Sequence, residues 1–125
     1  MIDFQNGTVF KLKAVQNSDY ASWVSPFFVE GETILSMYQA LRDGVVFTNK
    51  RIISINVQGV TGKKKDFTSL PYSKIQAFSV ETSGVFDLDS ELELYFSGLG
   101  KVKFEFTSNC NVTQICNVIS SYVLK

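Results

Sequence analysis

The 125-residue sequence contains no histidine, only two prolines, two cysteines and one tryptophan. Histidine is the side chain best suited to acid–base catalysis near neutral pH, and it is also the commonest metal ligand. The 12 basic and 12 acidic residues give a formal net charge of zero, which offers no bulk attraction for nucleic acid. These absences predict a protein with no catalytic residues, no metal, no cofactor and no nucleic-acid partner.

The two cysteines, Cys110 and Cys116, lie close together near the end of the chain. On one helix their Cα atoms would be about 9 Å apart at a rise of about 1.5 Å per residue, which is beyond disulfide reach. Free thiols are typical of a reducing compartment. The sequence begins with an early acid and no apolar run, unlike a signal peptide. We therefore expect two free thiols and a cytoplasmic protein.

The strongest pattern in the sequence is the alternation of apolar and polar residues at 91–97 and 101–107. Such alternation predicts two strands of a hairpin with one buried face. A three-residue loop at 98–100 would pair residue 97 with residue 101 and keep the apolar positions in phase. We expect Phe104 and Phe106 on this face to be buried beneath a C-terminal helix.

Five further strands are predicted upstream, each bounded by turn-forming residues. They cover residues 32–39, 44–48, 51–57, 64–69 and 74–82. Seven consecutive antiparallel strands need either closure into a barrel or two packed sheets to manage their edges. At 45% hydrophobic residues the chain suits one mainly β (α+β) domain with a single core.

Helical signals are found at both ends of the chain. Apolar residues recur at helical spacing from Val112 to Val123, with Asn111 as the N-cap and Gln114 three residues later. Residues 17–23 predict a short helix that ends before a proline, and residues 8–15 are interpreted as another helix. We therefore divide the chain into a helical N-terminal extension at 1–29, packed on the domain, and a main domain at 30–125.

Distinctive turn and strand motifs occupy residues 42–51, 59–64, 70–75 and 78–87. Their characteristic positions, which we expect to be structural, are Arg42, Asp43, Gly44, Thr48, Asn49, Arg51, Gly59, Gly62, Pro71, Tyr72 and Asp87. Together they resemble the bacterial pleckstrin-homology-like (PH-like) domain family over residues 30–124. The resemblance implies a seven-stranded antiparallel barrel or sandwich capped by a C-terminal helix, and a tendency to form closed homo-oligomeric rings. It implies no established catalytic chemistry and no agreed ligand.

Three consecutive lysines, Lys63, Lys64 and Lys65, follow a glycine-containing turn. Ammonium groups and backbone amides at such a turn can hold the phosphate of a lipid headgroup. Basic runs are weakly specific, so a solvated strand edge or a subunit contact is the alternative reading. Eukaryotic relatives of the PH fold bind phosphoinositides through basic residues between their first two strands. Here that junction, residues 40–43, has one base and one acid, so this site does not carry over.

Two other clusters have both a functional and a structural interpretation. The acids Asp87, Asp89 and Glu91 begin like a calcium-binding loop, but Leu92 stands where glycine is required, which favours structural acids on a solvated face. The aromatic residues Trp23, Phe27 and Phe28 form either an exposed anchor for a partner or a cover for the barrel. The structural interpretation is preferred for both clusters.

Charge is divided along the sequence. Residues 42–74 contain seven bases and two acids, a net +5, whereas residues 75–100 contain five acids and no base, a net −5. Complementary faces favour self-association, and a contact between two different patches closes into a ring or propagates as a filament. We therefore predict a non-catalytic module that assembles into a homo-oligomeric ring as a platform for another protein, and the family resemblance favours five subunits. The alternative is a peripheral phospholipid or phosphate binder that uses the basic loop.

Overall fold

The computed structural model describes residues 1–4, 9–16, 18–82 and 89–125. The strands are β1 (Val9–Val15), β2 (Ile34–Ala40), β3 (Asp43–Thr48), β4 (Arg51–Gln58), β5 (Lys64–Pro71), β6 (Ile75–Glu81), β7 (Ser90–Phe96) and β8 (Gly100–Phe106). The helices are α1 (Ser18–Val24) and α2 (Val112–Val123), with short 3-10 turns at Ser25–Phe27 and Tyr72–Lys74.

All eight strands belong to one sheet with the order β5-β4-β3-β2-β1-β8-β7-β6. β1 pairs antiparallel with β2 and parallel with β8, and so joins two antiparallel meanders, β2–β5 and β6–β8. The consecutive strands β5 and β6 are the two terminal strands of this order. The seven predicted strands and the C-terminal helix are confirmed, and β1 is an additional strand.

The helix predicted at residues 8–15 is wrong, because residues 9–15 form strand β1. Leu12 is fully buried while Lys11 and Lys13 are exposed, which is the two-residue period of a strand. Hydrogen bonding to β2 on one side and β8 on the other decides the conformation. The division of the chain between residues 29 and 30 stays a prediction, although β1 pairs on both sides with strands of the later segment.

The β7–β8 hairpin turns one residue earlier than predicted. Phe96 pairs with Gly100 and Tyr95 with Lys101, so the connecting residues are 97–99 and not 98–100. Gly98 and Gly100 have φ of +85° and +92°, a conformation that glycine adopts without steric cost. Lys101 thus pairs with Tyr95 and not with Ser97, a register change of two residues, so the even-numbered apolar residues still share the buried face.

The main core lies between the inner face of the sheet and α2. Phe104 and Phe106 are fully buried and cluster with Ile115 and Ile119 of the helix, as predicted. The Asn111 side chain accepts a hydrogen bond from the Gln114 N–H at 3.0 Å, which confirms the predicted N-cap. The cap satisfies a backbone donor that the first turn of a helix otherwise leaves free.

A second core lies on the outer face of the β2–β5 meander. Val46, Ile53 and Ile55 pack there against Tyr20 and Val24 of α1. β3 and β4 are therefore covered on both faces, which explains why their sequences read as nearly continuous apolar runs and do not alternate. The short helix predicted at 17–23 is present as α1, and residue 17 lies outside the described residues.

The first four residues lie across the inner side of β5 and extend toward β8. The Met1 amino group is 2.9 Å from the Asp66 carboxylate, and the Ile2 N–H donates to Thr68 Oγ1 at 3.4 Å. Phe4 is buried in the main core, where its ring meets Phe104 edge-on at a centroid distance of 6.4 Å. This segment helps to close the side of the core between the two meanders.

Candidate functional site

The three lysines of the predicted anion site lie at the start of β5, but they do not form one cluster. Lys63 and Lys64 are exposed, whereas the Lys65 ammonium lies 4.6 Å from the centroid of the Trp23 ring. Successive side chains of a strand point to opposite faces, so Lys64 and Lys65 diverge. The Lys65 ammonium thus makes a cation–π interaction with the Trp23 ring. Only Lys63 and Lys64 are left to meet a ligand from solvent.

The turn between β4 and β5 depends on glycine at both ends. Gly59 and Gly62 have φ of +76° and +69°, and the Gly62 N–H donates to the Gly59 carbonyl at 3.3 Å. A Cβ at Gly62 would lie 3.3 Å from Val57 Cγ1 and 3.7 Å from Arg42 Nη1. The Arg42 side chain from the β2–β3 turn therefore lies against the β4–β5 turn.

The Arg42-Asp43-Gly44 motif fixes these two turns to each other and to α1. The Asp43 carboxylate accepts hydrogen bonds from the Val57 N–H at 2.8 Å and from Asn56 Nδ2 at 3.3 Å. The Tyr20 hydroxyl donates to the Asp43 carbonyl at 2.7 Å, and burial together with the Asp43 carboxylate raises the pKa of Tyr20 to about 12. A Cβ at Gly44 would lie 2.7 Å from the Tyr20 ring, so glycine permits the docking of α1.

A buried ion pair that the sequence did not reveal lies at the other end of the same meander. Arg51 donates from Nη2 and Nε to the two oxygens of Glu32, both at 2.9 Å. The Glu32 carboxylate also accepts from the Thr48 hydroxyl at 2.7 Å and from the Val29 N–H at 3.1 Å. The Glu32 side chain has no exposed surface. The unpredicted residue is Glu32, which strand patterning had assigned to the start of a strand.

The charge of Glu32 is maintained by its four hydrogen bonds. Burial by itself raises the pKa of Glu32, but the bonds from Arg51, Thr48 and the Val29 N–H together hold it below its usual value. Arg51 also donates to the Phe27 carbonyl at 2.7 Å. Through these bonds the pair ties the segment before β2 to the β3–β4 turn.

Asn49 completes the same connection. Its side chain accepts from the Thr33 N–H at 2.8 Å and donates to the Gly31 carbonyl at 3.0 Å. Both partners precede β2, so the motif residues Thr48, Asn49 and Arg51 all bind the segment that links α1 to β2. These contacts give the three motif positions a structural explanation.

The Pro71-Tyr72 motif lies at the corner between the two meanders. The Tyr72 hydroxyl donates to the Thr48 carbonyl at 2.7 Å, and its ring stacks on Tyr122 of α2 at a centroid distance of 5.0 Å. Beside this corner is an open groove of about 370 Å³, lined in part by Lys74, Ile75 and Phe96. Its lining residues, among those that the structure describes, include no acid, histidine or cysteine.

The acidic residues of β7 form cross-strand ion pairs. Glu91 lies 3.2 Å from Lys103, and Glu93 lies 3.5 Å from Lys101. Asp89 precedes β7 and lies 2.9 Å from Lys11. These contacts agree with the structural interpretation of the acids, and Asp87 lies outside the described residues.

Within the described ranges, no group of three or more histidine, cysteine, aspartate or glutamate side chains is arranged to hold a metal ion. Nor does any helix in those ranges combine the length and apolar character needed to cross a bilayer. The longest helix in the described part of the chain, α2, has 12 residues, and it buries Ile115 and Ile119 against the sheet. Its apolar face is thus used in the core of the domain.

The aromatic cluster predicted as either anchor or cover packs on the outer face of the β2–β5 meander. Trp23 meets Tyr20 edge-on at a centroid distance of 5.3 Å, and Phe27 lies 5.0 Å from Phe67 of β5. Phe28 is partly buried against the second core. Phe27 remains 51% exposed, but all three residues cover the sheet as the structural interpretation predicts.

Both cysteines are free thiols, as predicted. Cys110 precedes α2 and is not on the helix as the distance argument assumed. Its thiol donates to the Leu12 carbonyl at 3.3 Å, and burial raises its pKa. Cys116 lies half-buried on α2. A raised pKa disfavours the thiolate, so Cys110 is a poor nucleophile at neutral pH.

These features match a known family. A family model for the bacterial PH domain matches residues 3–123. The chain belongs to the bacterial PH domain family. This bacterial PH domain is similar to a solved DUF1696-family protein with a pleckstrin-homology domain from Shewanella loihica. The two are 37% identical with a TM-score of 0.79, and the match covers 94% of this chain and 99% of that one.

Two further relatives agree with the assignment. A solved pleckstrin-homology domain from Shewanella amazonensis is 38% identical with a TM-score of 0.68, and the match covers 96% of this chain and 94% of that one. The uncharacterized protein YjqA of Bacillus subtilis is 39% identical over 93% of this chain and 90% of its own length. The predicted family resemblance is therefore confirmed, and these relatives indicate no enzymatic family.

Proposed function

We propose that this bacterial PH domain is a non-catalytic cytoplasmic module that assembles through its two sheet edges into a closed ring of five subunits. The ring would serve as a platform for another protein. The observation that carries the proposal is that the two terminal strands of the sheet, β5 and β6, bear opposite charge. A terminal strand has one unpaired row of backbone groups, which a strand of another copy can complete.

The charge difference between the two edges comes from a few residues of β5 and β6. Lys64 and Lys65 lie in β5 directly after Lys63, and the acid that follows, Asp66, is paired with the N-terminal amino group. In β6 the single charged residue is Glu81. The basic stretch of the sequence ends at residue 74 and the acidic stretch begins at residue 75. This boundary thus coincides with the corner at which the chain passes from one edge of the sheet to the other.

A row of carboxylates beside the β6 edge adds support. Glu81 pairs in register with Glu91 of β7, and Glu91 pairs with Glu105 of β8. Like charges directly opposite one another in a sheet are destabilising. Lys103 offsets this repulsion in part through its contact with Glu91. A lysine from a neighbouring copy at Glu81 would offset more of it.

The strand directions support this contact. β5 begins at Lys64 and β6 ends at Glu81, so antiparallel pairing of β5 in one copy with β6 in the next brings these two residues opposite each other. Pro71 lacks an N–H at the far end of β5, which restricts pairing to the Lys64 end. A contact between two different edges is heterologous and therefore closes into a ring or grows as a filament.

Charge exchange tests this interface. We expect Lys64→Glu and Glu81→Lys each to lower the oligomer mass measured by light scattering after size exclusion, because each places like charges across the contact. The double variant should regain the wild-type mass, since every contact then again joins opposite charges. Lys50→Glu, an exposed lysine in the β3–β4 turn, is the matched control and should not change the mass. Single variants that keep the wild-type mass would contradict the interface.

The alternative function, a single phosphate site made of all three lysines, has less support. The Lys65 ammonium lies over Trp23, and Lys64 belongs to the proposed subunit contact. One exposed lysine beside a turn is not a specific anion site.

A further inference from the structure

The open groove beside the Pro71-Tyr72 corner has the size of a small-molecule site. It lies where the end of β5, the start of β6 and the β7–β8 turn meet, and it is lined by residues 69–71, 73–76, 96, 97 and 99. We call it the corner groove. Its volume of about 370 Å³ falls within the range of about 300–1,000 Å³ that is typical of small-ligand sites. The groove is therefore large enough for a compact organic ligand.

A β-bulge shapes the corner groove at the start of β6. Ile75 pairs with Phe96 and Ala77 pairs with Tyr95, so Gln76 is an extra residue of β6 at this point. A bulge bends its strand and re-aims the side chain of the extra residue, and bulges are frequent beside active sites. Gln76 lines the groove at this bend.

Five of the ten lining residues of the corner groove are apolar, which provides contacts for an apolar ligand group. Ile75 and Phe96 belong to the main core and are buried, whereas Pro71 is exposed and Leu99 is partly buried. Small-ligand sites combine such apolar walls with a few polar groups that fix the orientation of the ligand. A ligand of the corner groove should therefore contain a compact apolar body.

The polar residues of the corner groove offer hydrogen-bond donors, and the only charged residue among them is Lys74. Lys74 is exposed and forms no ion pair with any residue that the structure describes. Ser73, Gln76 and Ser97 are also exposed, and their side chains make no hydrogen bond to the described part of the chain. One positive charge beside three unused neutral donors favours a ligand group that is negatively charged and accepts hydrogen bonds.

The number of positive charges indicates which anion fits the corner groove. A phosphate monoester carries between one and two negative charges at neutral pH, and proteins usually recognise it with arginine or with several bases. Among the described residues that line the groove there is no arginine and no second lysine. A carboxylate carries one charge, and its two oxygens accept hydrogen bonds from an ammonium group and from neutral donors together. The groove therefore matches a carboxylate better than a phosphate.

We infer that the corner groove binds a small organic monocarboxylate, with the carboxylate at Lys74 and a compact apolar body against Pro71 and Leu99. This binding goes beyond the proposed assembly and uses neither Lys64 nor Glu81 of the proposed subunit contact. Pro71 restricts the pairing of β5 to its other end, so the groove stays accessible in the proposed ring. Binding of the carboxylate does not depend on the ring.

NMR titration of the methyl-labelled full chain tests the inference, because methyl signals are observed both for a monomer and for a large ring. The methyl groups of Leu70, Ile75 and Leu99 report on the groove, and those of Ile115 and Ile119 beneath α2 are the reference. The probe is 3-phenylpropionate. It should shift the groove methyl signals in a saturable manner at concentrations up to about 10 mM, and leave the reference signals in place.

Three comparison compounds separate the contributions of charge and apolar contact. The neutral amide 3-phenylpropionamide has the same shape and should bind about fivefold less tightly than the acid, because it lacks the attraction to an exposed ammonium group. Acetate lacks the apolar body and should bind at least about tenfold less tightly. Phenyl phosphate should bind no more tightly than 3-phenylpropionate, since the groove offers one positive charge.

Two variants locate the site. Lys74→Gln should weaken the binding of 3-phenylpropionate about fivefold and leave the binding of the amide unchanged, because only the carboxylate loses a charged partner. Ser97→Trp should abolish the binding of both compounds by filling the groove, and it should fold normally because Ser97 is exposed. The matched control is Lys13→Gln, which removes an exposed lysine of β1 outside the groove and should bind like the wild type.

Light scattering of each variant separates this inference from the proposed assembly. All three variants should keep the wild-type mass, since none of them alters the proposed subunit contact. The inference is overturned if 3-phenylpropionate causes no saturable shift, if Lys74→Gln weakens the acid and the amide equally, or if Lys13→Gln loses as much binding as Lys74→Gln. Tighter binding of phenyl phosphate would overturn the assignment of the groove to a carboxylate.

Discussion

At the scale of single residues, the ion pair between Glu32 and Arg51 carries the most information about how this domain is built. Removing a carboxylate from water is costly, and only several well-placed hydrogen bonds offset that cost. Glu32 has such bonds from two side chains of the β3–β4 turn and from the segment that follows α1. The pair therefore makes the position of α1 depend on the β3–β4 turn.

The Glu32 carboxylate predicts acid sensitivity. Its pKa is lower in the folded chain than its ordinary value of 4.5, so its contribution to stability is complete above that value and is lost as the pH falls through the folded pKa. Glu32→Gln should lower the free energy of unfolding by about 3–5 kcal/mol near neutral pH. It should also weaken the dependence of stability on pH below 4.5.

Urea unfolding of wild-type and Glu32→Gln protein at several pH values measures both effects. Glu30, which is exposed and two residues away, provides the control substitution Glu30→Gln. A variant whose stability stays parallel to the wild type at every pH would contradict the role given to Glu32.

At the scale of elements, the sequence predicts what is locally determined. β7 and β8 alternate strictly and are joined by a short turn, so the sequence predicts the hairpin, although its turn lies one residue earlier and its register differs by two residues. β1 was mistaken for a helix because its strand conformation depends on β8, at the other end of the chain. Glu32 was missed for a similar reason, since its partner Arg51 is identified only once the β3–β4 hairpin has formed.

α1 packs on the sheet over Gly44, so a larger residue at position 44 should disturb this packing. In Gly44→Ala the added methyl group would lie 2.7 Å from the Tyr20 ring, so α1 must move outward. Overpacking of this kind typically costs about 1–3 kcal/mol. The single tryptophan, Trp23, belongs to α1 and packs on Tyr20, so its fluorescence emission should shift to the red.

Thermal unfolding and Trp23 emission together test this packing. The double variant Gly44→Ala/Tyr20→Leu removes the opposing ring, and its loss of stability should be smaller than the sum of the two single losses. An unchanged emission spectrum and melting temperature in Gly44→Ala would rule out the close contact between α1 and the sheet.

At the scale of the whole molecule, the topology determines where the basic and the acidic stretches of the sequence lie. The sequence contains a basic stretch followed by an acidic one, but it does not say that β5 and β6, which are adjacent in sequence, lie at opposite ends of the strand order. The separation arises because β1 joins the two meanders through β2 and β8. The alternation of side chains along β5 separates Lys65 from Lys64 by turning it toward Trp23. A charge run was thus visible in the sequence, whereas its division between two surfaces was not.

The mass of the assembled protein in solution tests the central claim most directly. Light scattering coupled to size exclusion, over a range of micromolar concentrations at moderate salt, should give one species of about 70 kDa for five copies of the 14.0 kDa chain. A closed ring should keep this mass as the concentration rises, because all of its edges are paired. A single 14.0 kDa species at every concentration would contradict the proposed assembly.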